Sequence, residues 1–149
     1  MVTYFKILFI SLLLIIPTIS MSHKVTLEDQ SLEEIVNKRM ALMMEIKSTS
    51  TQMYRILQTN DYETMLELNT ILLNAASLFK NYYPEGSQHK SASDEIWNDR
   101  ETFNKFNDKF ASDIEMISLS VELGDNDMLN DAFKEMAANC GACHKKFRN

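Results

Sequence analysis

The sequence predicts an all-α protein, and more specifically an antiparallel four-helix bundle. Hydrophobic residues make up 45% of the 149 residues and charged residues 24%, which is typical of one folded domain and excludes a disordered chain. Only 3 glycines and 2 prolines are present, too few for the many turns of a β sandwich. Four segments repeat apolar residues at spacings of three and four, the pattern of a helix with one buried face.

The first 22 residues are predicted to be a secretory signal peptide. A basic start precedes an apolar run at 7–16 and small or turn-forming residues at 17–22. The run is shorter than the roughly 20 residues that a membrane span needs. We expect cleavage after Ser20 or Ser22, a periplasmic protein with no stable membrane span after processing, and a bundle domain over 23–149.

The first two helices are predicted from their apolar stripes and from capping residues. The first covers about 27–53 and can be capped by Thr26 or Ser31. The second begins after Thr59 and Asn60, which form a plausible cap, and ends near Lys80. Their stripes are Leu32, Ile35, Val36, Leu42, Met43 and Ile46, then Met65, Leu68, Leu72, Ala76 and Phe79.

A longer connection at 81–93 separates these two helices from the next two. Ser93 or Asp94 can cap the third helix, Gly124 suits its left-handed C-cap, and Asp125 to Asp127 offers a short turn and a new cap for the fourth. The two stripes are Trp97, Phe103, Phe106, Phe110, Ile114, Ile117 and Val121, then Leu129, Ala132, Phe133, Met136, Cys140, Cys143 and Phe147. Four methionines are expected to fill the core: Met40, Met44, Met53 and Met116.

One short motif indicates that the protein binds a cofactor. Cys140, Cys143 and His144 form C-x-x-C-H, the attachment motif of c-type haem, in which each thiol adds to a vinyl group and the imidazole binds iron. A disulfide would close too small a loop to stabilise much, and a redox dithiol needs a βαβ setting. A zinc site needs more ligands than His23 and His89 supply. We expect one covalent haem c held through Cys140 and Cys143, with His144 as the proximal iron ligand.

Two residues of the first helix have unusual positions. Arg39 interrupts the apolar stripe, and its guanidinium either reaches water or pairs with a haem propionate. Met43 lies one turn later on the same face, where it either fills the core or meets the distal face of the iron. The last turn carries three cations, Lys145, Lys146 and Arg148. Cations at this end interact favourably with the helix dipole whether or not a cofactor is bound.

These residues resemble the cytochrome c prime family, the class II c-type cytochromes. The resemblance rests on C-G-A-C-H-K-K-F-R at 140–148, K-R-M-A-L-M at 38–43, and Y-Y-P-E-G-S at 82–87 followed by E-I-W at 95–97. It covers essentially the whole chain after the signal segment. By this resemblance Arg39 contacts a propionate, Arg148 lies near the proximal haem face, and Met43 occupies the distal pocket.

The resemblance implies two functions. In low-spin members of the family a methionine is the sixth ligand and the protein carries electrons, whereas in high-spin members a shielded five-coordinate iron binds nitric oxide or carbon monoxide. Methionine at the position of Met43 occurs in both branches, so the residue type does not distinguish them. We expect electron transfer with redox partner proteins and keep diatomic gas binding as the alternative. Dioxygen transport is disfavoured, because the first helix offers no polar distal group beside Met43.

The net charge and the residue pattern argue against two other classes of function, nucleic-acid binding and catalysis. With a net charge of -6, the protein does not offer the basic surface that nucleic-acid binding requires. The same charge favours basic redox partners. No Ser/His/Asp or paired-carboxylate arrangement indicates an enzyme. Family members are often homodimers joined through the first two helices, so the resemblance implies a homodimer as well.

Overall fold

The computed structural model describes residues 30–149, and they form an all-α bundle as predicted. Four long helices lie in chain order as α1, α2, α4 and α5, with a short α3 before α4, and α1 packs on α2, α2 on α4 and α4 on α5. Their bounds are α1 Leu32–Ile56, α2 Tyr62–Phe79, α3 Glu95–Asn98, α4 Arg100–Leu123 and α5 Asn126–Phe147, and a 3-10 turn, Lys80–Tyr82, follows α2. Within 30–149 no helix is long and apolar enough to cross a membrane.

Several predictions fall on residues 1–29, outside the described residues. They are the signal segment with its cleavage after Ser20 or Ser22, the start of the first helix at 27, and its cap by Thr26. Ser31, the other predicted cap, is confirmed, and the described part of α1 begins at Leu32. The Ser31 hydroxyl accepts from the Glu34 amide at 3.2 Å, and the Glu34 carboxylate accepts from the Ser31 amide at 2.8 Å.

The caps of the later helices are single aspartates. Asp61, and not Thr59 or Asn60, caps α2 by accepting from the Thr64 amide at 3.2 Å. Asp125 caps α5 in the same way. An aspartate suits these positions because its carboxylate accepts from an unpaired amide and interacts favourably with the positive end of the helix dipole.

The predicted third helix is two helices. Asp94 precedes α3 without a side-chain cap, and the chain leaves helical geometry at Asp99, where φ is -123° and ψ is 55°. Asp99 then caps α4 by accepting from the Thr102 amide at 3.3 Å. The apolar period did not reveal this break, because Trp97 before it and Phe103 after it both contact the core.

Buried asparagines tie three of the helices together. Asn69 of α2 donates to the Ile114 carbonyl oxygen of α4 at 3.0 Å, and Asn107 of α4 donates back to α2. Asn139 of α5 donates to the Phe106 carbonyl oxygen of α4 at 3.1 Å. These side chains bond to backbone carbonyls that already belong to helices, so they hold the axial register of α2, α4 and α5.

Three of the four methionines predicted to be core residues are exposed. Met53 is fully buried, but the exposed fractions are 46% for Met40, 72% for Met44 and 41% for Met116. Periodicity identifies one apolar face of a helix, and it does not say how much of that face a neighbouring helix covers. The prediction for Met40, Met44 and Met116 is therefore wrong.

Gly124 ends α4 in the left-handed conformation, with φ at 64°. A Cβ built there meets nothing within 4 Å, so substitution affects only the backbone. We expect Gly124→Ala to lower the free energy of unfolding by about 1–2 kcal/mol. Gly124→Asn should lose less, because asparagine tolerates this conformation. Urea denaturation measures both, and an alanine variant as stable as the parent would contradict this account.

Candidate functional site

The C-terminal turns of α5 are anchored by Phe147. Its ring is buried and lies edge-on to Phe103 at 5.4 Å and to Phe106 at 5.8 Å between centroids. The Phe147 carbonyl oxygen accepts from the Ser93 amide at 3.0 Å, which ties the preceding connection to this end of the bundle. The last turns of α5 are thus held on a packed aromatic base.

The C-x-x-C-H motif lies on these turns. Cys140 and Cys143 are free thiols, half-buried against the core, whereas His144 is exposed. Cys140 and His144 are one helical turn apart and share a face. Two thiols and an imidazole therefore stand together, with the thiols on the inner side of α5.

Burial controls the protonation of these groups. It raises the pKa of Cys140, with a smaller contribution from the Asp113 carboxylate, and together with the Cys140 charge it raises the pKa of Cys143 to about 11. Burial, followed by the Arg148 charge, lowers the pKa of His144. Both thiols are therefore protonated at neutral pH, and the imidazole favours its neutral, metal-binding form.

Arg39 is buried, with only 4% of its surface exposed. Its guanidinium donates to the Tyr82 carbonyl oxygen at 3.3 Å, to the Ser87 hydroxyl at 3.4 Å and to the Ser87 carbonyl oxygen at 2.9 Å. Of the two alternatives for Arg39, the one in which the guanidinium reaches water is wrong. None of the ion pairs found in 30–149 includes Arg39, and burial lowers its pKa. A buried cation with no carboxylate beside it is a costly arrangement and suits an anionic ligand.

Tyr83 links Arg39 to the cysteines, and sequence reasoning missed it. The Arg39 guanidinium carbon lies 4.5 Å from the centre of the Tyr83 ring, which also packs at 4.8 Å on Phe103. Burial raises the pKa of Tyr83; the Arg39 charge opposes this shift and the Cys143 thiolate adds to it. Tyr83 therefore lies between α1 and the motif of α5. The available signal was its place beside Pro84 in the 82–87 segment.

The remaining predicted site residues occupy three different environments. Met43 is half-buried and packs against the same core cluster as the two cysteines. Arg148 is exposed, and its backbone amide donates to the His144 carbonyl oxygen at 3.1 Å. Lys146 pairs with Asp99, its ammonium 2.5 Å from the carboxylate, while Lys145 is exposed.

The residues present fit a covalently bound haem. A haem offers two vinyl groups to thiols, an iron to an imidazole and two anionic propionates to cations. The chain supplies two inward thiols, a neutral imidazole and a buried guanidinium without an ion-pair partner in the described range. The fold and this donor set define the class of protein as a helical-bundle haem protein.

Comparison with known proteins identifies the family. The family model described as cytochrome c prime matches residues 34–148, and the chain belongs to that family. Membership implies a haem c cofactor. A curated cytochrome c prime from Alcaligenes xylosoxydans xylosoxydans is 35% identical over 63 residues, which are 42% of this chain and 50% of that protein. The matched part thus spans about half the length of that relative.

Solved structures agree on the fold. A cytochrome c prime structure aligns with a TM-score of 0.74 at 24% identity and covers 80% of this chain and 98% of its own. A nitric oxide complex of a variant of cytochrome c prime from Alcaligenes xylosoxidans gives the same TM-score and identity, covering 80% and 97%. The four-helix bundle predicted from the sequence is confirmed.

Replacement of Arg39 tests its part in the fold. Arg39→Met removes the donor to the Tyr82 and Ser87 carbonyl oxygens, and we expect the free energy of unfolding to fall by about 1–3 kcal/mol. Lys38→Met is the matched control, since exposed Lys38 bonds only to the Gln30 side chain among the contacts found. Urea denaturation of the haem-free protein, with thiols reduced, measures both. Equal effects of the two substitutions would contradict this role of Arg39.

Proposed function

We propose that this protein carries one haem c, attached through Cys140 and Cys143 with His144 as proximal iron ligand, and that it transfers electrons in the periplasm. The observation that carries the proposal is the pair of half-buried thiols next to an imidazole, at the end of the bundle that also holds a buried Arg39 with no ion-pair partner among residues 30–149. Family membership supports the cofactor.

The residues of the motif have distinct tasks in this proposal. When bound, the haem supplies a one-electron Fe(III)/Fe(II) couple. Cys140 and Cys143 fix the cofactor against the core, where water is excluded and reduction needs little reorganisation of the surroundings. His144 binds the iron through a neutral imidazole, which its depressed pKa favours.

Charged residues near the motif orient the cofactor. Arg39 takes a propionate, which offsets the cost of its burial with an opposite charge. Arg148 lies close enough to His144 to lower the pKa of the imidazole, and we assign it to the proximal face of the haem. A cation there would favour Fe(II), which carries one positive charge less than Fe(III).

Met43 decides between two functions. Its half-buried thioether, one turn after Arg39, is assigned to the distal side of the iron. Ligation by the thioether would stabilise Fe(II) and suit electron transfer. The second candidate is a five-coordinate haem protein that binds nitric oxide or carbon monoxide, with Met43 as a shield. The observation that favours it is the likeness to structures of cytochrome c prime solved with nitric oxide.

Assembly and partners extend the proposal. Exposed apolar side chains on α1 and α2 support a homodimer joined through these helices: Leu32, Met40, Met44, Ile71 and Leu78. The net charge of -6 supports basic redox proteins as donors or acceptors. The apolar segment at 7–16 supports export by a cleaved signal peptide.

The visible absorption spectrum tests the cofactor. The protein is purified from the periplasm of a strain able to attach haem c and measured ferric, then reduced with dithionite, before and after carbon monoxide or nitric oxide. We expect c-type bands that survive denaturation in acid acetone, because the haem is covalent. Absence of these bands would overturn the proposal, and Cys140→Ala with Cys143→Ala supplies the haem-free control.

Replacement of Met43 tests the electron-transfer assignment. If the thioether binds the iron, the parent protein has a low-spin spectrum that does not change when carbon monoxide is added. Met43→Ala should then give a high-spin spectrum that does change. Met44→Ala is the matched control, because the Met44 side chain is 72% exposed. A parent protein that is already high-spin and reacts with the gas would favour the second candidate. A low-spin spectrum unchanged by Met43→Ala would remove Met43 as a ligand.

A further inference from the structure

Arg100 is a second arginine at the same end of the bundle. It is the first residue of α4, and its Nη2 donates to the Tyr83 carbonyl oxygen at 2.6 Å. Its guanidinium carbon lies 5.6 Å from the centre of the Phe103 ring. The side chain is half-buried, and like Arg39 it takes part in none of the ion pairs found between residues 30 and 149.

Arg39 and Arg100 converge on Tyr83 from different sides. Arg39 lies over its ring, and Arg100 binds its backbone carbonyl. Trp97 completes the arrangement by donating from its indole nitrogen to the Pro84 carbonyl oxygen at 3.0 Å. The 82–87 segment is thus held by donors from α1, α3 and α4, and two guanidinium groups stand beside one residue of it.

Two cations beside one residue, neither with an ion-pair partner in the part of the chain that the structure describes, are unusual in a chain that carries 21 acidic and 15 basic residues. Acidic groups are near, since Asp99 precedes Arg100 directly, yet Asp99 pairs with Lys146. In the described contacts only Nη2 of Arg100 is engaged, which leaves its other N–H groups for a further acceptor. The planar guanidinium group can form two parallel hydrogen bonds, a geometry that carboxylates and phosphates match better than other anions do.

We propose that Arg100 binds the second propionate of the haem, so that Arg39 and Arg100 each hold one of the two carboxylates. This inference rests on the proposed function, and it assigns a residue that the attachment motif does not include. Tyr83 sets the separation of the two arginines, because both contact it. The pair would fix the rotation of the haem within the bundle and neutralise both carboxylates.

An arginine beside a propionate has an electrochemical consequence. A nearby cation favours the reduced iron, which carries one positive charge less, and it holds the propionate ionised at low pH. Without Arg100 the propionate should titrate at a higher pH, and its titration should become visible in the reduction potential. An arginine that only clamped the Tyr83 carbonyl would not produce this pH dependence.

The test compares Arg100→Gln and Arg100→Lys with Lys105→Gln in the haem-bearing protein. Lys105 is a matched control, since it lies on the same helix and pairs only with exposed Glu101 among the ion pairs found. Spectroelectrochemistry between pH 5 and 8 gives the potential. For Arg100→Gln we expect about a tenfold lower Fe(II)/Fe(III) ratio at fixed potential, about 59 mV, and a new dependence on pH. Arg100→Lys should keep the charge and show a smaller change.

A second readout separates binding from folding. The thermal unfolding temperature of each variant is measured with haem and in a haem-free background that lacks both cysteines. Propionate binding predicts a larger loss in the haem-bearing form. Equal losses in both forms, with a potential and pH profile like those of Lys105→Gln, would overturn the role of Arg100 while the proposed function stands. A parent protein without haem bands would overturn both.

Discussion

The burial of the Arg39 guanidinium is the constraint on which this end of the bundle depends. A cation that is 4% exposed must have its N–H groups satisfied, and it obtains acceptors from the Tyr82 and Ser87 carbonyls and from the face of Tyr83. These bonds join α1 to the connection between α2 and α3, which are far apart in sequence. A neutral residue at this position would remove the Arg39 donors to the Tyr82 and Ser87 carbonyl oxygens, and with them the hydrogen bonds from this side chain that join α1 to the 82–87 segment.

The same segment couples α1 to the haem motif through aromatic packing. Tyr83 contacts Phe103, and Phe103 lies edge-on to Phe147, three residues after His144. The motif therefore does not stand on an isolated helix end, because rings from α4 and the connection hold it. Buried asparagines keep α2, α4 and α5 in register, whereas α1 is tied to this region through Arg39. We expect α1 to adjust most readily to a cofactor placed between it and α5.

Sequence reasoning succeeded where the information is local and failed where it depends on neighbours. The cap by Asp125 and the left-handed Gly124 follow from residue type alone. The break at Asp99 was missed, because an apolar period continues across a cap when both sides contact the core. The exposure of Met44 was missed because periodicity does not measure how much of a face a neighbouring helix covers.

The sequence by itself determined the helical class, the position of the C-x-x-C-H motif in the last helix and the candidate roles of Cys140, Cys143 and His144. Each of these is set by composition, by the apolar period or by contiguous residues. Only the tertiary structure decided that Arg39 is buried, that Tyr83 lies between it and the motif, and that Arg100 reaches the same residue. These relations join residues that lie 17 or more positions apart in the sequence. Helix packing determines them, because buried donors such as these guanidinium groups need acceptors, and no local sequence pattern shows which acceptors packing will supply.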